Sequence, residues 1–294
     1  MDIKERLKER SAYVEEKLSQ YLPSENDYPD ILFKAMRYSI FAGGKRLRPI
    51  LLLEVNKLFG GADETAAPFA CALEMIHTYS LIHDDLPAMD DDNFRRGRLT
   101  SHKAFGEGMA ILAGDALLSH AFEVMSRITC ERDDKLGAKA MYAIAFGAGV
   151  NGMIAGQVVD VISEGKAIDK NTMNYIHLNK TAALIQAAFR AGGCLGGANE
   201  ETIALLNEAA VKIGMAFQIQ DDILDVIGTQ EEMGKSVLSD SKNDKTTYIS
   251  LFGIEESNRI VEKLSNEAIE ILMNFGKRSE FLVEITKYLM DRRA

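Results

Sequence analysis

The chain has 294 residues, 47% of them hydrophobic and 27% charged, which is enough apolar material for a large core in one or two domains. Lys and Arg number 34 against 44 Asp and Glu, and the net charge of −10 argues against nucleic-acid binding across the whole surface. The 3 cysteines are too few and too scattered for a disulfide framework or a zinc site, and they fit a reducing cytosol.

The N-terminus and the hydropathy pattern argue against targeting and membrane segments. The chain is charged from residue 2 onward, unlike a secretory signal peptide. No stretch of about 18 residues is both uncharged and suitably apolar, since even the run 68–82 carries Glu74 and His77. We therefore expect a soluble, cytoplasmic protein without a membrane span.

Helical periodicity recurs almost throughout the chain, and alternating strand patterns are nearly absent. In chain order it predicts helices at 2–20, 28–42, 46–58, 64–86, 104–128, 133–150, 151–161, 168–189, 199–228, 244–253, 255–275 and 278–291. The helices 64–86, 104–128 and 199–228 are apolar on most sides and should lie inside a bundle. No linker or repeat divides the chain, so we predict one all-α domain over residues 1–294.

Two clusters of aspartates follow apolar stretches of these helices. The first comprises Asp84, Asp85, Asp90, Asp91 and Asp92, and the second comprises Asp221, Asp222 and Asp225. Two carboxylates about 5 Å apart repel by roughly 3 kcal/mol at an effective dielectric of ~20. One such cluster is more typical of a solvated surface loop. Two of them indicate shared hard cations, and because Mg²⁺ binds few carboxylates together with substrate phosphates, they predict two walls of one diphosphate site.

The spacing within each cluster predicts its local geometry. Asp221 and Asp225 are four residues apart and therefore share one face of the helix 199–228. In the first cluster Pro87 should end its helix. Asp84 and Asp85 would then lie on the last turn, and residues 90–92 would curl back from an irregular segment.

Cationic residues stand at two places near the aspartates or before a helix. The run 43–49 places Lys45, Arg46 and Arg48 at a glycine pair, where the backbone can approach a ligand and arginine can bind phosphate oxygens in a bidentate manner. It lacks the spacing of a Walker loop, and a solvated basic turn is the alternative. Arg95 and Arg96 follow the first cluster, either as phosphate ligands or as charge balance for the aspartates.

Single polar residues on apolar helices complete the candidate site. Gln218 lies three residues before Asp221 on an otherwise apolar helix, where a buried amide needs partners. His77 and Ser80 lie seven and four residues before Asp84 and share its face, which indicates a cavity lining, although a lone histidine is as often a satisfied core residue. Three further candidates would, taken one at a time, be interpreted as surface residues: Lys180, Thr181 and Lys235.

Together these motifs closely resemble the trans-isoprenyl diphosphate synthases, and within them the bacterial farnesyl diphosphate synthases (geranyltranstransferases). The resemblance runs in order over about residues 30–250 and is carried by the segments 43–49, 80–92, 95–97, 180–181 and 217–225. It implies an isoprenoid-synthase fold, an all-α bundle around a deep central cavity, and a homodimer. One departure is Leu238, which stands where the family usually has a glycine.

The resemblance also implies a reaction, the head-to-tail condensation of isopentenyl diphosphate with dimethylallyl or geranyl diphosphate, with release of diphosphate. It implies Mg²⁺ as the cofactor, three ions per active site. An allylic C–O bond ionises only if charge on the departing diphosphate is stabilised, and cations in a dry site do this best. No side chain stands out as a base, and the departed diphosphate is close enough to accept the proton.

Each implied role belongs to a set of residues in this sequence. The metal ligands are Asp84, Asp90 and Asp221, supported by Asp85, Asp222 and Asp225; the isopentenyl diphosphate ligands are Lys45, Arg48, His77 and Arg96; the allylic diphosphate ligands are Arg95, Lys180, Thr181, Gln218 and Lys235, of which Arg95, Lys180, Thr181 and Gln218 are also catalytic. Thr181 and Gln218 would meet the carbocation with dipoles rather than with a nucleophile.

Product length is assigned to Tyr79 and Ser80. Tyr79 lies five residues before Asp84, about 7.5 Å along the helix at ~1.5 Å per residue, where an elongating chain would meet an obstruction. The resemblance implies that this position helps to form the cavity floor, which predicts a farnesyl product. Ordinary packing of Tyr79 against a neighbouring helix is the alternative.

Other functions remain open at this point. A synthase of geranylgeranyl or longer diphosphates is the nearest, and a class I terpene cyclase would not need the basic turn at Lys45 and Arg48. His83 with Asp84 could belong to a metal-dependent phosphohydrolase, but the chain has only 5 histidines and the second aspartate cluster would be unexplained. A non-catalytic subunit of a synthase pair would not need intact aspartate and basic motifs.

Overall fold

The computed structural model describes residues 2–227 and 246–291, which are helical almost throughout. The α-helices are Ile3–Tyr21 (α1), Asp30–Ile40 (α2), Leu47–Leu58 (α3), Asp63–Asp84 (α4), Ser101–Phe105 (α5), Glu107–Arg132 (α6), Lys135–Ala148 (α7), Met153–Ser163 (α8), Lys170–Ile176 (α9), Ala182–Leu195 (α10), Glu200–Ile227 (α11), Tyr248–Met273 (α12) and Glu280–Asp291 (α13). The all-α prediction is confirmed.

Several short elements were not predicted. A π-helical turn, His177–Thr181, joins α9 to α10, and a 3₁₀ turn, Gly276–Ser279, precedes α13. Strands Phe94–Arg95 (β1) and Arg98–Leu99 (β2) form an antiparallel hairpin just after the first aspartate cluster. Strands of two residues are too short to show an alternating pattern, so the sequence carried no signal for them.

Helix α4 lies at the centre of the bundle. It packs against α1, α3, α6 and α10, and nearly every side chain from Ala66 to Tyr79 is buried. Helix α11 packs against α10 and α12 and is buried over most of its second half. Because both helices are apolar on most sides, burial between layers removes more apolar surface from water than a surface position would.

Helix α6 differs from its prediction. Its buried residues form one stripe that includes Ala113, Leu117 and Ala121, while Ile111 and Leu112 on the other side are exposed. By length and composition alone, the helical segments Glu107–Arg132, Lys135–Ser163 and Glu200–Ile227 are long and apolar enough to cross a membrane. Residues 140–159, within the second of these segments, carry no charged side chain, so the expectation that charges interrupt every long apolar stretch is wrong. This stretch is divided between α7, which ends at Ala148, and α8, which begins at Met153.

Two helix boundaries carry structural information. Gly253 has a positive φ of 76° inside α12 and kinks it, at the junction that the sequence predicted between helices 255–275 and 244–253. The predicted helix 168–189 is interrupted by the π-turn and continues to Leu195. A π-turn inserts one extra residue into a helix and is found mostly at functional sites.

Candidate active site

A single deep cavity of about 1250 Å³ gathers the predicted site residues. It is lined by Lys45, Arg48, His77, Tyr79, Ser80, Asp84, Asp90, Arg95, Arg96, Lys180, Thr181, Gln218, Asp221, Asp222 and Asp225. Lys235 and Leu238 lie outside the described residues. Residues that are far apart in the sequence thus face one space, with acidic walls on α4 and α11 and a basic wall that begins before α3.

The first acidic wall forms where α4 ends. Asp84 is the last residue of α4, and the Asp90 N–H donates to the Asp84 carbonyl oxygen at 2.9 Å, so the chain curls back as predicted. One carboxylate oxygen of Asp84 accepts a hydrogen bond of 2.5 Å from Gln157. Burial raises the pKa of Asp84 above its usual value, and Lys180 opposes that shift. The wall holds more negative charge than its surroundings stabilise.

Asp85 pairs with Arg95 and does not line the cavity. The Arg95 Nε lies 2.7 Å and 2.9 Å from the two Asp85 oxygens. Burial raises the pKa of Asp85 to about 6, although Arg95 counteracts it. The Arg95 guanidinium therefore balances carboxylate charge in this structure, as the second interpretation of the Arg95 motif expected, and its contact with diphosphate stays a prediction.

The second acidic wall runs along α11. Asp221, Asp222 and Asp225 line the cavity, and Asp225 Oδ1 is buried without a hydrogen-bond partner in the described part of the chain. Asp222 accepts the backbone N–H of Tyr248 at 2.9 Å, which ties α11 to the first residue of α12. Asp222 thus has a supporting contact, while Asp225 offers an unused oxygen.

These carboxylates fit Mg²⁺. The donors are hard oxygens on two facing walls, and one of them, on Asp225, is buried and unsatisfied. Among residues 2–227 and 246–291, no group of three or more His, Cys, Asp or Glu side chains could hold a metal ion by itself. Because Mg²⁺ takes one or two carboxylates and completes its shell with water and phosphate, incomplete protein sites are expected when a diphosphate substrate supplies the remaining ligands.

The basic wall begins at the glycine pair. Gly44 has a φ of 127°, and a Cβ there would lie 2.6 Å from the Arg96 guanidinium carbon. Arg96 donates to the Gly43 carbonyl oxygen and so lies flat on the glycine turn. A side chain at position 44 would displace Arg96 from the cavity lining.

Arg48 and His77 form the other half of the basic wall. Arg48 Nη1 lies 3.2 Å from His77 Nε2. Burial and then the charge of Arg48 hold the pKa of His77 well below its usual value, so the ring is neutral. Since guanidinium has no acceptor, Nε2 must accept from Arg48 and the proton is on Nδ1. The site thus places cations beside a neutral histidine.

Arg46 plays a different part from its neighbours in the basic run. Its side chain is fully buried, with Nη1 at 2.9 Å from Glu74 and Nη2 at 2.7 Å from the Ile40 carbonyl oxygen. Arg46 itself has a left-handed φ of 50°. The ion pair with Glu74 therefore holds the turn that carries Lys45 and Arg48. Glu74, an isolated charge in the apolar run 68–82, was the available sequence signal.

Lys180 connects the first acidic wall to α8. Its ammonium lies 2.8 Å from Asp160 and 3.6 Å from Asp84. Burial alone would lower the pKa of Lys180, but Asp84 and Asp160 outweigh it and the pKa is raised. The sequence analysis missed Asp160 and Gln157. Their three-residue spacing on the otherwise apolar α8 was the signal that could have found them.

Thr181 and Gln218 meet at the cavity edge, where Gln218 is half-buried and its amide has the partners that the sequence led us to expect. The Thr181 hydroxyl donates to Gln218 Oε1 at 2.6 Å. The Gln218 amide nitrogen donates to Asp222 at 3.3 Å. Two dipoles on facing helices therefore share one edge of the cavity.

Tyr79 and Ser80 lie on the cavity wall formed by α4. Tyr79 is 6% exposed, and its ring packs edge-on against His83 with ring centroids 5.7 Å apart. The Ser80 hydroxyl donates to the His77 carbonyl oxygen at 2.8 Å. A bulky ring in the cavity wall with a small residue beside it is the arrangement that the length argument required.

An all-helical bundle whose deep cavity is lined by two aspartate walls and one basic wall defines a prenyltransferase of the isoprenoid-synthase class. The chain belongs to the polyprenyl synthetase family, whose pattern matches residues 29–281. It is therefore a trans-prenyl synthase, and the resemblance stated from the sequence is confirmed.

Relatives with different products are equally similar. The chain is 46% identical to the geranylgeranyl diphosphate synthase of Cyanophora paradoxa, over 97% of this chain and 95% of that protein. It is also 46% identical to the farnesyl diphosphate synthase of Geobacillus stearothermophilus, over 87% of each. Product length therefore has to be argued from the cavity.

A solved structure gives the same fold with ligands. The geranyltransferase from Helicobacter pylori, complexed with magnesium and isoprenyl diphosphate, matches with a TM-score of 0.84 at 30% identity, over 99% of this chain and 97% of that one. The family's dependence on magnesium agrees with the oxygen-rich walls described above.

Proposed function

We propose that this chain is a farnesyl diphosphate synthase, which condenses isopentenyl diphosphate with dimethylallyl and then geranyl diphosphate. The observation that carries the proposal is the buried Tyr79 ring on the cavity wall, five residues before Asp84. In this proposal the ring obstructs a fourth isoprene unit, so that elongation stops at three. Geranylgeranyl diphosphate synthase is the second candidate, favoured by the equally similar relative from Cyanophora paradoxa.

The acidic walls suit a diphosphate that departs. Asp84 and Asp90 on one side and Asp221 on the other would hold three Mg²⁺ ions, with Asp85, Asp222 and Asp225 in support. When bound, Mg²⁺ supplies positive charge to the leaving diphosphate. Lys180 would hold the same diphosphate, joined by Arg95 and by Lys235 from outside the described residues.

The dipoles at Thr181 and Gln218 suit the allylic cation. Neither group is a strong nucleophile, so they stabilise positive charge without trapping it. The hydrogen bond between them, 2.6 Å long, fixes which oxygen atoms face the cavity. The departed diphosphate remains beside the new carbon–carbon bond and accepts the proton that is lost.

The basic wall suits a diphosphate that stays. Lys45, Arg48 and Arg96 line the cavity, and the neutral His77 orients Arg48 by accepting its hydrogen bond. These groups would bind isopentenyl diphosphate without a metal. Its double bond would then lie against the allylic carbon, a proximity that saves translational entropy in the bond-forming step.

We further propose that the chain works in the cytoplasm as a homodimer. Apolar side chains are exposed on α6, on α8 and in the connection before α8, an amount of apolar surface that a soluble monomer rarely leaves in water: Ile111, Leu112, Val150, Ile154 and Val158. Light scattering on the purified protein without detergent should give the mass of two copies. A monomeric mass, or a requirement for detergent, would contradict this proposal.

A product assay tests the function directly. Purified protein is incubated with labelled isopentenyl diphosphate, Mg²⁺ and each allylic starter in turn, and the dephosphorylated products are separated by chain length. Farnesol should dominate from both dimethylallyl and geranyl diphosphate. Geranylgeraniol as the main product would establish the second candidate, and release of inorganic phosphate without condensation would indicate a phosphohydrolase.

A further inference from the structure

The π-turn His177–Thr181 and the residue that follows it, Ala182 at the start of α10, are each contacted by a glycine on a neighbouring helix. A Cβ added to Gly156 on α8 would lie 2.1 Å from the Lys180 backbone nitrogen and 2.7 Å from the Asn179 carbonyl carbon. A Cβ added to Gly214 on α11 would lie 2.4 Å from the Ala182 Cβ and 2.7 Å from its Cα. Helix α8 therefore approaches the turn itself, and α11 approaches the residue directly after it, at distances that leave no room for a methyl group.

The contact at Gly156 coincides with the charged contacts of the site. Gln157 follows Gly156 directly and reaches Asp84 at 2.5 Å, and Asp160, one helical turn further on, reaches Lys180 at 2.8 Å. The distance between α8 and the π-turn thus sets the distances among Asp84, Asp160 and Lys180. Backbone atoms cannot rotate away from an added methyl group as a side chain can.

A π-turn also needs external support. A π-turn is rare and less favourable than regular α-helix, because its hydrogen bonds join residues five apart instead of four in order to accommodate the extra residue. Relaxation to α-helix would rotate the residues on one side of the turn by about 100°, the angle per residue at 3.6 residues per turn. Lys180 or the residues before it would then leave the cavity edge.

We propose that Gly156 and Gly214 are positioning residues that clamp the π-turn so that Lys180 reaches Asp84 and Thr181 reaches Gln218. The clamp deepens the proposed function, on which it rests, because it assigns these glycines to the binding and ionisation of the allylic diphosphate. The basic wall for isopentenyl diphosphate is carried by the turn before α3, by α3 and α4, and by the turn between β1 and β2, and the atoms nearest to Gly156 and Gly214 belong to none of them.

The first test is Gly156→Ala. A displacement of about 1 Å at a catalytic group can cost ~100-fold, so kcat should fall by between ~10-fold and ~100-fold and the KM for the allylic substrate should rise. The KM for isopentenyl diphosphate should stay within about twofold. Gly108→Ala on α6 is the matched control, since a Cβ there meets nothing within 4 Å and the substitution adds only helix propensity.

A double variant separates positioning from general damage. If Gly156 acts through Lys180, the variant Gly156→Ala with Lys180→Ala should be no slower than Lys180→Ala alone, because coupled residues are non-additive. If the alanine only loosens the fold, the two losses multiply and the clamp is wrong. Gly214→Ala and Asp160→Asn, which disturb the same turn differently, should repeat the allylic pattern even if Gly156→Ala is poorly folded.

A binding readout completes the experiment without turnover. Calorimetry with an allylic diphosphate whose bridging oxygen is replaced by sulfur measures occupancy of the allylic subsite. Gly156→Ala should bind this analogue at least ~10-fold more weakly than Gly108→Ala does. This ratio is what the loss of one charged hydrogen bond from Lys180 to the diphosphate would cause. Equal affinity together with unchanged kcat would overturn the clamp. A wild-type protein that binds the analogue yet condenses nothing would overturn the proposed function, and the binding comparison would still decide on the clamp.

Discussion

The acidic and basic walls of the cavity are both anchored on α4, where His77 and Asp84 stand seven residues apart. Around Asp84 the carboxylates are buried with raised pKa values and too few cations. Around His77 the arginines are buried, and the histidine is neutral beside them. One wall therefore needs cations that arrive with its ligand, whereas the other already contains them. The difference matches one diphosphate that leaves and one that stays.

The largest expected effect lies on the acidic side. Asp84→Ala or Asp221→Ala should lower turnover by about a thousandfold or more, because charge on the departing diphosphate loses its stabilisation. The fold should survive and the melting temperature should be unchanged or raised, since the repulsion among neighbouring carboxylates is relieved. Steady-state assays in Mg²⁺ and thermal melts measure both.

A matched control lies in the same cluster. Asp91 is exposed, has a left-handed φ of 48° and lies 3.8 Å from Lys103, away from the cavity lining. The variant Asp91→Asn should keep wild-type turnover, because asparagine tolerates this left-handed backbone conformation. Near wild-type activity in Asp84→Ala as well would contradict a metal role for the acidic walls.

The second prediction separates the two diphosphates. Lys45→Ala and Arg48→Ala should raise the KM for isopentenyl diphosphate by ~10- to ~100-fold, the worth of one charged hydrogen bond, and leave kcat closer to wild type. Lys180→Ala should instead lower kcat and weaken the allylic substrate, because its contact strengthens as charge develops. Initial-rate kinetics with each substrate varied in turn measures which substrate each variant affects. Equal effects on both substrates from all three variants would remove the distinction between the walls.

The third prediction concerns the space between the walls. Tyr79→Ala should lengthen the product from farnesyl to geranylgeranyl and beyond, since removal of the ring opens the cavity wall. Tyr79→Phe keeps the ring and should leave the product distribution unchanged. Chromatography of dephosphorylated products measures the shift. An active alanine variant that still stops at farnesol would place the floor on another helix.

The smallest effect is expected from pH, acting on the stability of the fold through the buried histidine His177. Burial lowers the pKa of His177 to about 4, against about 6.5 in an unfolded chain. The unfolded state therefore binds more protons between these values, and stability falls as the pH drops from about 6.5 to about 4. At ~1.4 kcal/mol per pKa unit, the loss is up to about 3 kcal/mol.

The variant His177→Phe tests whether His177 causes this loss of stability at low pH. Phenylalanine keeps a ring against Tyr248, on which His177 stacks with centroids 5.2 Å apart. Denaturant unfolding at several pH values should show a flatter dependence between about pH 4 and 6.5 in the variant than in the wild type. A dependence of equal steepness in the two proteins would show that other groups carry it.

Residues with a regular spacing were predictable, and residues that depend on a partner were not. Asp221 and Asp225 follow from an i, i+4 spacing, and the return of Asp90 to Asp84 follows from Pro87 ending the helix. Arg46, in contrast, differs from Lys45 in a way that the basic run itself does not show. Its role depends on Glu74, an acidic partner 28 residues away.

The sequence by itself determined the helical architecture, the two aspartate clusters and the polar stripe on α4, because periodicity and charge patterning are local properties of the chain. Only the tertiary structure decided the π-turn under Lys180, the contact of Gly156 with its backbone, and the pairing of Asp160 with Lys180. These features arise where two helices press against each other. Their energies depend on distances between residues that the sequence separates, so no local pattern records them.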